Sequence, residues 1–193
     1  MTALLVIRHG KTVWNLEKKI QGRRNIPLCD EGRAQLRQFS LPAEFSHFNW
    51  VSSPLIRARE TAELLDGVKI AVEERLIEMD WGAWEGYTIR DLRSGFGAAM
   101  AQNEAKGLHM TPDGGESPAD VQARLLPWLR SLTVPTIAVT HKGVIRALKS
   151  LAYHWDMTDK SPVPFDWNCA HLFDVDRNGD IVAKRVNISL ERE

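Results

Sequence analysis

Apolar residues gather in short runs divided by longer stretches in which they recur every three or four positions, the pattern of strands alternating with helices. Leu4 to Ile7 is a continuous apolar run and predicts a strand covered on both faces. Asp30 is placed to cap a helix from Glu31 to about Phe39. Trp50 to Ser52 predicts a short strand. Ser53-Pro54 then offers an N-cap and a first-turn proline for a helix that ends near Asp66-Gly67. Val68 to Val72 reads as a further strand. Ser117-Pro118-Ala119-Asp120 resembles a capped helix start, and Pro127 is expected to kink or end that helix. Thr136 to Thr140 predicts a strand and Gly143 to Leu151 the helix after it. A hairpin follows, His171 to Val175 and Ile181 to Val186 about a turn at Asp176-Arg177-Asn178-Gly179. The Gly- and Ala-rich stretch 94–112 has little clean period and is expected to be partly helical and mobile, a lid. The alternation as a whole predicts an α/β domain.

Three of the predicted strands end in polar residues suited to an anion: Arg8-His9-Gly10, Ser52-Ser53-Pro54 with Arg57 one turn on, and Thr140-His141-Lys142-Gly143. In an open parallel sheet, ligands bind beyond the carboxyl ends of the strands, so parallel neighbours would bring Arg8, His9, Arg57 and His141 together. Helices starting near Pro54 and Gly143 would add backbone N–H groups and a positive dipole end. Each residue alone has a plainer reading. A strand-end histidine is usually a hydrogen-bonded surface group. Arg57 shares its helix with Arg59, Glu60 and Glu63, where a solvated charged face is the default. The coincidence of three such ends favours a phosphate pocket.

Composition narrows the classes. The 193 residues suffice for one domain with a full core, and 44% apolar with 26% charged is ordinary for a globular chain. Lys+Arg and Asp+Glu balance at 25 each, so no global field draws the chain to nucleic acid or to an acidic membrane. Anion recognition must be local. Cys29 and Cys169 form no closely spaced pair, which favours reduced thiols. The apolar start before Arg8 is too short for a signal-peptide core, and no run approaches the ~20 residues of a membrane helix. A cytoplasmic location is expected.

Leu5-Val6-Ile7-Arg8-His9-Gly10-Lys11-Thr12, with Asn15 following, resembles the signature of the histidine phosphatase superfamily, also called phosphoglycerate mutase-like. Ser52-Ser53-Pro54-Leu55-Ile56-Arg57-Ala58 with Thr61-Ala62 is similar to that family's second arginine motif. Leu76, Glu78, Gly82, Trp84, Glu85 and Gly86 resemble its acid-bearing motif, and Thr140 to Arg146 its second histidine motif. Gln21-Gly22 to Pro27-Leu28 and Gly114-Gly115-Glu116-Ser117 match weaker segments. The resemblance implies one three-layer α/β/α domain over residues 1–193 with a mostly parallel central sheet. It implies that His9 attacks phosphorus, that Arg8, Arg57 and His141 bind the phosphoryl oxygens with Asn15 assisting, and that Glu78 protonates the leaving alkoxide. Gln21, Gly22, Lys142 and Gly143 are the expected substrate-binding positions.

The residue chemistry suits those roles. Nearby arginines disfavour the imidazolium and keep a lone pair on His9 available. Phosphoryl transfer needs chiefly positioning and charge stabilisation, which two guanidiniums supply, so no metal or other cofactor is expected. Burial beside Trp81 and Trp84 would raise Glu78, as would a bound phosphate dianion, against the arginines. Glu85 is a competing acid, although Trp84-Glu85-Gly86 also reads as a structural turn. Two positions depart from the family pattern. Lys11 stands where many members have an acidic or neutral residue, and Lys142 where glycine is usual. Lys142 either adds charge toward the phosphate or a second acidic group, or points to solvent.

A hydrolase of small phosphorylated metabolites is expected. Family mutases carry a longer insertion between the acid motif and the Gly-Gly-Glu-Ser segment, and here Gly86 and Gly114 are close in sequence. The alternatives are a phosphoglycerate mutase and an inactive phospho-ligand-binding module. Arg23 and Arg24 either meet acidic substrate groups or decorate the surface, and an exposed C-terminal strand could pair two chains as a homodimer.

Overall fold

Leu4, Leu5, Val6 and Ile7 are all buried because their strand lies inside a sheet packed on both faces. The computed structural model describes residues 1–191, and six strands form its sheet: β1 (Thr2–Arg8), β2 (Asn49–Ser52), β3 (Ala71–Val72), β4 (Thr136–Thr140), β5 (Ala170–Val175) and β6 (Ile181–Ile188). Their order is β3-β2-β4-β1-β5-β6. The first four in that order are mutually parallel, and β5 and β6 add an antiparallel hairpin beside β1.

The helices are α1 (Val13–Leu16), α2 (Asp30–Leu36), α3 (Ile56–Leu64), α4 (Ile89–Phe96), α5 (Ala98–Glu104), α6 (Pro118–Ser131) and α7 (Lys142–Tyr153). Alternate strand residues feed opposite layers. Leu4, Val6 and Ala138 pack with Leu125 and Leu129 of α6 and with Ile145 and Leu148 of α7. Leu5, Ile7, Ile137 and Val139 pack with Leu36 of α2 and with Ala58 and Ala62 of α3. The result is the expected three-layer α/β/α arrangement. Among the described residues, no helix is long and apolar enough to cross a membrane.

Several boundaries differ from expectation for identifiable reasons. Cys29, not Asp30, is the N-cap of α2, its Sγ accepting from Gly32 N at 3.4 Å. α3 begins at Ile56 behind Leu55, because the β2 ladder runs on to Ser53, whose N–H donates to Val139 O at 3.0 Å. Pro54 is therefore not its first residue. The strand expected over 68–72 shrinks to Ala71–Val72, since Asp66 and Lys69 adopt positive φ in a turn. α6 passes through Pro127 to Ser131 rather than ending there. Pro127 and Ala123 are both exposed, so water can serve the carbonyl that proline leaves unpaired. The segment 94–112 is mostly helical and packs through Met100 against Trp84 and Leu92.

Proline in a helix interior is disfavoured relative to alanine by about 3 kcal/mol, offset in part by its smaller unfolded-state entropy. Pro127→Ala is therefore expected to stabilise the fold by about 1–2 kcal/mol, read as a higher urea midpoint at unchanged m-value. An unchanged or lower midpoint would show that Pro127 itself contributes to the packing around the buried Trp128.

Candidate active site

β4 lies between β1 and β2, and the parallel ladder continues past the strand ends, with His9 N donating to Thr140 O at 2.9 Å and Ser53 N to Val139 O at 3.0 Å. Three polar strand ends thus meet at one edge of the sheet. The His9 and His141 rings stand 5.1 Å apart between centroids, tilted by 54°. Arg8, His9, Arg57 and Glu78 line a cavity of about 620 Å³, together with Asn15, Gln21, Gly22, Lys142 and Gly143. His141 is fully buried and is not part of the wall.

Nδ1 of His9 lies 2.7 Å from Gly10 O. A carbonyl can only accept, so Nδ1 carries the proton and Nε2 keeps its lone pair. Burial, then the charges of Arg57 and Arg8, hold the His9 pKa well below the usual 6.5. Gly10 is fixed in turn, its N–H donating to Thr61 Oγ1 at 2.9 Å while that hydroxyl donates to Arg57 O at 2.6 Å.

His141 is neutral for the same reasons, burial first and Arg57 next. Its Nε2 is 2.6 Å from Ser53 Oγ, and that oxygen also accepts from Leu55 N at 3.3 Å. Assigning the hydroxyl as donor to Nε2 puts the His141 proton on Nδ1, a buried atom with no partner among the described residues. Ser53 is thus a positioning residue, although its sequence context suggested only a helix cap.

Arg57 is fully buried, against the exposed helix face that its neighbours suggested. Its Nη1 donates to Arg24 O at 2.7 Å and its Nη2 to Gly22 O at 2.8 Å, while Nε has no partner. Desolvation lowers its pKa to about 10, which leaves it charged at neutral pH. Gly22 needs its positive φ of 50°, and a Cβ there would fall 1.8 Å from Glu85 Oε1. Asn15 spends its side-chain oxygen on Thr12, accepting from Thr12 N at 3.0 Å, so its amide N–H₂ is the part available to a ligand. Gln21 is buried with Oε1 unpartnered.

Glu78 is buried on the cavity wall. Desolvation raises its pKa above 4.5 and outweighs the lowering by the Met79 N–H, Arg57, the Gly143 N–H and Arg8. Its Oε1 accepts from Met79 N at 2.8 Å and its Oε2 from Gly143 N at 3.2 Å, the latter in the first turn of α7. A Cβ on Gly143 would stand 2.4 Å from Glu78 Oε1, so glycine there is what lets the carboxyl reach the helix N-terminus. The loop bearing Glu78 is held from behind. Arg124 donates to Arg75 O and, at 2.7 Å, to Ile77 O, and it pairs with Glu116 at 3.0 Å. Glu116 accepts in turn from Asp80 N at 3.0 Å. Sequence motifs had marked Glu116 without a role; Arg124 carried no local signal.

Other flagged residues lie elsewhere. Lys11 pairs with Glu31 at 2.7 Å and does not line this cavity. Glu85 accepts from Arg23 N at 2.7 Å and pairs with Arg24 at 3.3 Å, the structural-turn reading of Trp84-Glu85-Gly86. Arg23 pairs with Glu116 at 3.0 Å and Asp80 at 3.4 Å, so neither Arg23 nor Arg24 meets the cavity. Lys142 does meet it, its Nζ 5.1 Å from the Trp167 ring centroid, and Arg146 joins the wall without having been anticipated. From the 94–112 segment, Glu104, Gly107 and Met110 reach the cavity. Among the described residues there is no cluster of three or more metal-ligating side chains.

The profile of the histidine phosphatase superfamily (branch 1) matches residues 4–188. A 2,3-bisphosphoglycerate-dependent phosphoglycerate mutase from Azorhizobium caulinodans is 31% identical over 75% of this chain and 78% of its own length. A glucosyl-3-phosphoglycerate phosphatase from Mycolicibacterium vanbaalenii is 32% identical over 75% of this chain and 71% of its own. Among solved structures, a phosphoserine phosphatase from Entamoeba histolytica in complex with 3-phosphoglyceric acid superposes with a TM-score of 0.80 at 26% identity, covering 98% of each chain. The chain belongs to the histidine phosphatase superfamily, branch 1, and is an α/β enzyme of that family.

Proposed function

We propose that this protein hydrolyses small phosphate monoesters, carrying the phosphoryl group transiently on Nε2 of His9. The observation that carries the reading is the unprotonated Nε2 of a neutral imidazole set among arginines and facing a cavity whose wall also holds a buried carboxyl.

In the first step the Nε2 lone pair forms a bond to phosphorus, the bond from phosphorus to the ester oxygen breaks, and the carboxyl proton of Glu78 passes to the departing alkoxide. Arg8 and Arg57 stabilise the equatorial oxygens and the Asn15 amide donates alongside them, with the buried His141 ring behind that of His9. In the second step water attacks phosphorus, the N–P bond breaks, and the Glu78 carboxylate takes the water's proton. Inorganic phosphate and the starting protonation states result.

Hydrolysis is favoured over phosphoryl return by the short chain between Gly86 and Gly114, and by a cavity of about 620 Å³ with room for water beside a small ester. The mutase reading remains the second one, because a named mutase and a named phosphatase match this chain at nearly equal identity. A non-catalytic binding role would leave the tautomer of His9 and the buried acid without purpose.

His9→Ala is expected to abolish release of inorganic phosphate from p-nitrophenyl phosphate and to remove an acid-labile, base-stable phosphoenzyme seen by rapid quench. Isomerisation of 3-phosphoglycerate without phosphate release by the unaltered protein would decide for the mutase.

The pH dependence follows from the two shifts. His9 must be neutral, and its lowered pKa moves the acid limb well below pH 6.5. Glu78 must be protonated, so kcat/KM falls as pH rises through its elevated pKa. Glu78→Gln is expected to lower kcat about 10²- to 10⁴-fold and to flatten the alkaline limb. An unchanged limb in that variant would assign the leaving-group proton elsewhere.

Gly143→Ala, at the second residue of α7, should fold normally yet push the Glu78 carboxyl out of place. Its kcat is expected to drop about 10²-fold with little change in circular dichroism.

A further inference from the structure

The first turn of a helix is stabilised by acidic side chains and opposed by basic ones. α7 has no acid in its first turn and begins with Lys142, followed at i+4 by Arg146. Like charges at that spacing repel, and the two do lie within electrostatic reach of one another. Neither has a carboxylate within ion-pair distance among the described residues, whereas Lys19 and Arg93 on the same cavity wall pair with Glu17 and Glu104. Lys142 also lies within electrostatic reach of Arg8.

Both cations line the cavity and also contact aromatic rings outside its wall. Lys142 Nζ sits 5.1 Å from the Trp167 ring centroid, and the Arg146 guanidinium 5.5 Å from that of Trp155. The nearest acid, Glu78, has its two oxygens engaged by the Met79 and Gly143 N–H groups and is reserved for the proton transfers above. Arg8, Arg57 and Asn15 already address one phosphoryl group in that reading. Lys142 and Arg146 are surplus to it, in a helix turn whose own electrostatics disfavour them.

From this arrangement we infer that the substrate's leaving group carries a second anion, a carboxylate or a second phosphate, received by Lys142 and Arg146. The inference rests on the hydrolase reading of the same cavity and deepens it. It takes up the question the sequence left open for Lys142, whose exposed side chain is part of the cavity lining.

The test compares esters matched except for that group: 3-phosphoglycerate with glycerol 3-phosphate, and fructose 1,6-bisphosphate with fructose 6-phosphate. The unaltered enzyme is expected to favour the charged member of at least one pair by about 10- to 100-fold in kcat/KM, the carboxylate pair and the phosphate pair telling the two anions apart. Lys142→Met and Arg146→Met should each reduce that preference, with apo thermal stability equal or higher. Calorimetric titration of His9→Ala protein with the same esters gives the preference independently of turnover. Phosphate release from p-nitrophenyl phosphate tests the hydrolase reading by itself, since that ester has no second anion. If neither pair is discriminated in binding or turnover, or if both variants lose equally on charged and uncharged members, the assignment is overturned.

Discussion

Two guanidiniums and two imidazoles share one desolvated corner of this protein, and they can do so only because the imidazoles stay uncharged. Coulomb repulsion among four cations at such spacing would be severe in a medium of low polarisability. Burial and the arginines therefore act in the same direction, and the neutral state of His9 that nucleophilic attack needs is also the state that lets the corner exist. Glu78 completes the balance from the opposite sign, its pKa raised by desolvation although arginines stand nearby. Charge in this site is controlled by exclusion of water more than by pairing.

The backbone sets up that corner through one topological choice. Placing β4 between β1 and β2 brings residues 9, 53 and 141 side by side, and hydrogen bonds that continue the ladder past the strands fix their heights. What remains is to hold side chains in place, and most of that is done by groups that never touch the cavity. Thr61 ties the Gly10 turn to α3, Ser53 orients His141, and Arg124 with Glu116 steadies the loop that presents Glu78. Displacing any of these would move a reactive atom without altering the list of reactive residues.

The strands at the heart of the sheet were legible because both faces are buried, which writes unbroken apolar runs into Leu4–Ile7 and into Ile137–Val139 within β4. The nine site positions that line the cavity, and His141 behind them, were legible because they cluster at strand ends or within ordered motifs. Helix starts were less so. The Ser53-Pro54 pair looks like a cap, but its hydroxyl is claimed by a histidine 88 positions away in the chain, and no local rule contains that competition. The burial of Arg57 was hidden likewise, since its partners are carbonyls of residues 22 and 24. Pro127 misled in the other direction: an exposed helix side tolerates a missing donor that a buried side would not.

The position of β1 has a consequence for how the molecule comes into being. The strand that carries His9 is made well before both of its neighbours, β4 and β5, which begin beyond residue 135. During synthesis at about 5–20 residues per second, Leu4 to Ile7 must wait many seconds with no partner for their amides and no cover for their side chains. Contacts so distant in sequence slow folding and leave a sticky apolar segment exposed in the meantime. The nascent chain is thus most vulnerable to misassociation at the strand that ends in Arg8 and His9, and the cavity is complete only after β4 and β5 have closed over it.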